Sequence, residues 1–327
     1  MIKLVGVVGL GNIAVRHRRN VKALFDGVRV IAMPASGRMP KEGIEHADTV
    51  VPNIQSMIEL NPDFVIVASP ATKHSEHSIP LLLSAIPVLI EKPLAGYKDD
   101  ALKLAAVASQ CETPVAVGYC LRYLHSSLLI REMLSSEVIG SMFHASVNMG
   151  QYLPQWRPNK HYTETVSAQA ELGGGVLLEL SHELDYMQWL CGEMEPVYSH
   201  LRNSKALNLG VEESADIMLV SRGGCVCHMH LDFLQHVPSR KCSFVGTKGR
   251  LDWDLIGNCV TLQSEGGEKV LYCDPTIDRN EMYVSMIKDF VALIQGQENK
   301  CVDVHQAART VELIDEIKAE AIWGKVI

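Results

Sequence analysis

The sequence predicts an α/β chain in two parts: a doubly wound parallel sheet over residues 1–120, and an α+β domain with a large antiparallel sheet over 121–327. Two observations carry this. Up to residue 117, short apolar runs alternate with helical stretches five times, and strands joined by helical crossovers become parallel neighbours with helices on the faces. From residue 197 onward, strand-like runs follow one another with only short turns between them, which is the grammar of an antiparallel sheet.

The run over 3–8 ends at Gly9 and suits a strand buried on both faces. A helix is expected over 13–25, a second strand over 28–32, a helix over 54–60 and a third strand over 64–68. A helix over 75–85 precedes the strand 88–90, and a helix over 98–110 precedes the strand 115–117. Past residue 120 a helix over 126–137 leads to a strand over 143–149. An irregular stretch over 151–172 and one helix over 175–190 follow. Further strands are expected over 215–221, 226–233, 241–245, 250–254, 259–263 and 269–272, separated by turns such as Gly246-Thr247-Lys248-Gly249. Helices over 281–295 and 305–322 close the chain.

The bulk numbers exclude several function classes. With 327 residues, 47% hydrophobic and 21% charged, the chain has the balance of an ordinary globular protein of two domains. Its net charge of −8 implies no broad basic surface, so neither nucleic acid nor an anionic membrane is an expected partner. The one basic cluster, Arg16-His17-Arg18-Arg19, reads as a solvated helix face. No apolar run approaches the roughly 18–20 residues that cross a bilayer, and the few apolar residues before Gly9 are too short for a signal peptide. A cytoplasmic address is therefore expected. Nine scattered cysteines without a Cys-x-x-Cys pair read as reduced thiols.

Gly9-Leu10-Gly11-Asn12-Ile13-Ala14 matches G-x-G-x-x-(G/A). Its context makes it informative, because it follows the first buried strand and opens a helix, as in the Rossmann dinucleotide fingerprint. The first glycine permits the tight turn, the second lets the backbone approach a diphosphate, and Ala14 lets helix and strand pack closely. The stretch after the second strand, Met33-Pro34-Ala35-Ser36-Gly37-Arg38, lacks the carboxylate that would bind a ribose 2′-hydroxyl. Ser36 and Arg38 instead suit a 2′-phosphate, so NADP is expected over NAD. Arg38 could equally be a solvated loop residue.

Two further patterns carry chemistry. Glu91-Lys92-Pro93 follows the fourth strand, and a lysine there lies at the ligand crevice of such a sheet. Gly173-Gly174-Gly175 opens a helix carrying Glu179, His182 and Asp185, where three-residue spacing places neighbours on one face. These motifs, with Ser69-Pro70-Ala71-Thr72-Lys73-His74, resemble the glucose–fructose oxidoreductase/inositol dehydrogenase (Gfo/Idh/MocA) family over essentially the whole chain. The resemblance implies an NAD(P)-dependent oxidoreductase that moves a hydride between nicotinamide and a hydroxyl or keto carbon of a sugar, nucleotide sugar or polyol.

It implies Gly9, Gly11, Asn12, Ile13, Ser69, Pro70, Thr72, His74, Glu91 and Lys92 around the cofactor. It also implies Lys92 as the proton-transfer residue, with His182 facing the substrate. The family's helix carries an aspartate four residues before the histidine; here the acidic residue is Glu179, three before His182. Alternative readings are a strand-end salt bridge of Lys92 to Glu91, and a helix histidine paired with Asp185 or Glu179.

The loop 151–162 supplies Tyr152, Trp156, Arg157 and Tyr162, and the helix region supplies Arg122, as candidate substrate contacts. Aromatic faces stack on sugar rings, and an arginine can hold an anionic group. The motif Tyr152-Leu153-Pro154-Gln155-Trp156-Arg157-Pro158 resembles a subgroup of sugar or nucleotide-sugar dehydrogenases. Cys225-Val226-Cys227-His228-Met229-His230 does not suggest a metal site, because strand alternation sends the cysteines and histidines to opposite faces. A homodimer or homotetramer is expected. The alternative function is a non-catalytic dinucleotide sensor of sugar metabolism. A third reading is an enzyme holding NAD as a transient hydride sink.

Overall fold

Short runs of β-branched and apolar residues build the first sheet. In the computed structural model, which describes residues 1–157 and 160–324, these are β1 (Leu4–Val8), β2 (Arg29–Met33), β3 (Thr49–Val50), β4 (Phe64–Val67), β5 (Val88–Glu91) and β6 (Val115–Gly118). They pair in parallel in the order β3-β2-β1-β4-β5-β6. The crossovers carry α1 (Asn12–Leu24), α2 (Ile54–Glu59), α3 (His74–Leu83) and α4 (Lys98–Gln110). β3 is too short to show an apolar pattern and was not foreseen. Strand order reverses between β1 and β4, and the carboxyl ends of strands at such a reversal form the ligand crevice of an open α/β sheet.

The second unit comprises Leu121–Asp278 and Glu312–Ile327. Its helices are α5 (His125–Ser135), α6 (Val176–Glu179) and α7 (Ser181–Cys191). Its strands are β7 (Met142–Gly150), β8 (Met194–Arg202), β9 (Ser214–Ser221), β10 (Val226–Asp232), β11 (Ser239–Gly246), β12 (Gly249–Asp254), β13 (Cys259–Ser264), β14 (Gly267–Cys273) and β15 (Ile322–Gly324). They form one sheet in the order β14-β13-β12-β11-β7-β10-β9-β8-β15. The sheet is mixed rather than purely antiparallel: β10 runs parallel to β7, and β15 to β8. Hairpin grammar could not show this, because β7 inserts between β10 and β11 from far away in sequence. β8 was missed because Pro196 sits at a register shift that breaks its alternation.

Alternation then divides the sheet's faces. Val147, Met229, Phe244 and Trp253 are buried, and Tyr186 of α7 meets Trp253 edge-on at 5.3 Å. The opposite face holds a trough of about 800 Å³ lined by residues such as Asn148, His228, Lys241 and Asp252. Cys259 and Cys273 stand opposite each other on β13 and β14 and form a disulfide, which corrects the expectation of nine reduced thiols. Register, not residue spacing, makes them neighbours.

Residues 279–311 return to the first unit, which comprises Met1–Cys120 and Arg279–Val311. They hold α8 (Glu281–Ile294) and the start of α9 (Val304–Ala319). Phe290 meets Phe64 of β4 at 5.7 Å, and Val302, Ala307 and Val311 join the core of the parallel sheet. The sequence boundary assigned both closing helices to the second domain, because an apolar helix face does not say which sheet it covers. No helix among the described residues is long and apolar enough to cross a membrane.

Candidate functional site

The turn after β1 is built for a close approach. Gly9 adopts φ +111°, and a Cβ there would lie 2.4 Å from the Ala68 carbonyl oxygen. Its N–H donates to the Met33 carbonyl at 2.7 Å. In contrast, nothing lies within 4 Å of where a Gly11 Cβ would point. Gly11 caps α1 without a side-chain hydrogen bond, so the first amides of α1, at Asn12 and Ile13, face outward with the helix's partial positive charge. This open cradle fits a diphosphate. Beyond β2, Gly37 takes φ +71° and its N–H donates to Pro34. Ser36 and Arg38 are exposed on this turn, where the Arg38 N–H donates to Ser36 Oγ at 3.4 Å.

The basic cluster on α1 is not a solvated face. His17 and Arg18 are buried, Arg16 lies over the Tyr283 ring at 4.5 Å, and only Arg19 is exposed. Their helix face turns toward β5 and toward the loop after β2. His17 Nε2 lies 2.6 Å from Glu91 Oε1, while Arg18 donates to the carbonyls of Gly9 and Glu45.

The ends of β4 and β5 are braced together. The His74 ring is buried between the Ser69 and Pro93 carbonyl oxygens, at 2.8 and 2.9 Å, and burial holds its pKa below the usual histidine value. His77 Nδ1 lies 2.9 Å from Ser69 Oγ; burial lowers its pKa to about 4, so the ring is neutral. Pro70 caps the short turn Ala71–Lys73, and Thr72 packs where a Cβ on Gly96 would stand. Ser69 and His74, expected as cofactor contacts, thus hold the strand-end loops in place. Glu91, expected likewise, is buried, with Oε1 on His17 and Oε2 accepting the Lys92 N–H at 3.2 Å. Lys92 follows at the carboxyl end of β5, on the sheet edge that bears the glycine turn, and its bond to Pro93 is cis.

In the second unit the three glycines answer to steric demands. Gly173 has φ +84°, a Cβ on Gly174 would meet the Val166 carbonyl oxygen at 2.5 Å, and one on Gly175 (φ +105°) would meet Glu212 Oε1 at 2.4 Å. Glu212, which the sequence did not flag, is buried across the start of α6. Its carbonyl accepts from Val176 at 3.1 Å, its carboxylate lies 3.4 Å from the Leu177 N–H, and Lys318 pairs with it at 3.3 Å.

The expected single helix over 175–190 is broken. Leu180 leaves helical geometry at φ −98°, ψ 30°, so Glu179 ends α6 and His182 lies in the first turn of α7. The two do not share one helix face; Ser181, a helix-start signal, marks the restart. Both side chains are partly exposed. Asp185 is buried and takes Nε and Nη2 of Arg122 at 2.9 and 2.7 Å. Burial raises the Asp185 pKa, and Arg122 opposes it. Arg122, expected as a substrate contact, is thereby committed to the scaffold.

The aromatic loop is also fixed, mostly by residues outside it. Tyr152 stacks on His236 at 4.0 Å. Trp156 donates to the Gln151 carbonyl and meets Phe233 edge-on. The Tyr162 hydroxyl donates to Leu207 at 3.1 Å. Arg157 is partly exposed, and Pro158 of the sequence motif lies outside the described residues. Cys225, just before β10, and Cys227 on it are buried while His228 is exposed, as alternation requires.

A glycine cradle after β1 and a lysine at the end of β5 define an NAD-binding Rossmann unit of oxidoreductase type. Comparison with known families agrees. Residues 3–119 match the oxidoreductase family's NAD-binding Rossmann fold, and residues 128–252 match the GFO/IDH/MocA C-terminal domain. The chain belongs to the Gfo/Idh/MocA family.

Among relatives, the rhizopine catabolism protein MocA of Rhizobium meliloti is 25% identical over 211 residues, 63% of this chain and 62% of that protein. The chain thus spans about three fifths of that relative. The 1,5-anhydro-D-fructose reductase of Ensifer adhaerens is 24% identical over 245 residues, 72% of this chain and 70% of that protein. A levoglucosan dehydrogenase solved in complex with NADH superposes with TM-score 0.85 at 17% identity, covering 97% of this chain and 96% of that one.

Proposed function

We propose that the protein is an NAD(P)-dependent oxidoreductase acting on a secondary hydroxyl, or the matching ketone, of a sugar, nucleotide sugar or polyol. The observation that carries this is the placement of Lys92 on the same sheet edge as an open Gly9–Gly11 cradle. A bound nicotinamide supplies the acceptor or donor of hydride. Lys92 takes the hydroxyl proton during oxidation and returns it during reduction. His182 holds the reacting hydroxyl, and Glu179 assists from the end of α6. Arg157 offers a cation for an anionic substituent on the substrate.

NADP is the preferred cofactor on this reading, because Ser36 and Arg38 stand where an NAD enzyme presents a carboxylate. The open, half-polar face of the nine-stranded sheet supports assembly as a homodimer or homotetramer, and the composition supports a cytoplasmic enzyme. A turnover screen of free, phosphorylated and nucleotide-linked sugars and polyols with both cofactors tests the reading. Reduction of either cofactor with one of them is expected; binding of dinucleotide without turnover of any would leave the sensor.

A further inference from the structure

Arg18 is an anomaly in the dinucleotide unit. It is 1% exposed, yet among the described residues it bonds main-chain carbonyls rather than a carboxylate. Nη1 donates to Gly9 O at 3.2 Å and Nε to Glu45 O at 2.8 Å. The Glu45 carboxylate is exposed and pairs with His46 at 3.2 Å, acting on the guanidinium only from farther off. Burying a cation without an anionic partner is costly, and fold stability alone would favour an apolar side chain there.

The position explains the charge. Gly9 begins the diphosphate turn, and its N–H is held by Met33 at the end of β2. Glu45 lies in the loop that follows β2 and carries Ser36 and Arg38. Arg18 therefore straps the diphosphate turn to the ribose-side loop and brings a buried positive charge against both.

We propose that Arg18 is a positioning residue for the dinucleotide, holding the two halves of the adenosine site together and supplying the counter-charge for the ligand's phosphates. This rests on the reading of the chain as a dinucleotide enzyme, but needs no knowledge of its substrate. It also places a cofactor-positioning residue on α1, outside the glycine fingerprint.

The test is a fluorescence titration of NADH and NADPH against wild type, Arg18→Met and Arg18→Lys, with Tm measured on each protein without ligand. Met keeps the volume and removes the charge. Arg18→Met should raise the dissociation constant for both dinucleotides about tenfold or more, the scale of a nearby charge in partly screened surroundings. Its ligand-free Tm should stay level or rise. Arg18→Lys, which keeps the charge but reaches one carbonyl, should fall between. Raising the salt should weaken wild-type binding more than binding to Arg18→Met.

Unchanged dissociation constants for Arg18→Met overturn the proposal. So does a loss of affinity matched by a fall in ligand-free Tm, which marks Arg18 as plain scaffold. Wild type that binds neither dinucleotide overturns the enzyme reading itself, and the proposal falls with it.

Discussion

Replacing Arg122 by methionine would leave the Asp185 carboxylate, 1% exposed, without the two charge-assisted bonds that now hold it. Breaking a buried ion pair from one side costs about 3–5 kcal/mol, because the remaining charge stays in a poorly solvated site. For a unit of this size that corresponds to a fall in Tm of roughly 6–20 °C. The loss also has a pH signature. Burial raises the folded-state pKa of Asp185 while Arg122 pulls it down, so removing Arg122 raises it further. A carboxyl group whose pKa is higher folded than unfolded binds more protons in the native state, and stability then falls as pH rises through that interval.

The penalty of Arg122→Met should accordingly be largest at neutral and alkaline pH. It should shrink as the pH drops toward the ordinary carboxylate range, where Asp185 takes up a proton and the buried charge disappears. Thermal melts at about pH 5 and about pH 8 read the difference. The double variant Arg122→Met/Asp185→Leu should recover most of the lost stability, since neither charge then remains. A Tm loss below about 3 °C, an equal loss at both pH values, or a double variant as unstable as the single one would refute the reasoning.

Lys92→Ala should lower kcat by about 10²–10⁴ and leave the NADPH dissociation constant within about threefold; unchanged turnover removes Lys92 from the chemistry. Arg38→Ala should weaken NADPH roughly 10–100-fold, the worth of a hydrogen bond to a charged group, and spare NADH, as competitive titration of the two cofactors would read. Gly175→Ala should cost at least about 1–3 kcal/mol of stability from backbone strain alone, beyond its collision with Glu212, whereas Gly210→Ala, with open space around the new methyl, should be near neutral in the same melts.

What the sequence revealed was local. The glycine spacing from Gly9 to Ala14 encodes backbone conformations that depend on a few neighbouring residues, and strands β1, β4 and β5 show as apolar runs because both their faces are covered. What stayed hidden depends on which distant elements meet. Arg122 finds Asp185 across 63 residues, Glu212 reaches Leu177 across 35, and His17 reaches Glu91 across 74. None of these separations has a period. The helix after the triple glycine was misjudged for a different reason. Glu179, His182 and Asp185 satisfy a three-residue spacing across the break at Leu180 as well as within a helix, so periodicity was blind to it. Ser181 was the only local cue.

The distribution of buried charge separates scaffold from site more sharply than any motif does. Arg122 with Asp185 and Arg240 with Glu183 at 2.7 Å are each matched within their own unit. Pairs of that kind contribute roughly what well-packed apolar residues would, so their charge is accounted for inside the fold. Arg18 differs because two carbonyl dipoles offset only part of the desolvation of a full charge. The deficit is tolerable if an anion completes the set, and the open cradle at Gly11 leaves room for a phosphate. Lys92 stands at the carboxyl end of β5, on the side of the sheet that bears the glycine turn. Dinucleotide binding alone would be served by the glycine turn and the ribose-side loop, so the pH profile of kcat in Lys92→Ala is where the proposed proton transfer should show.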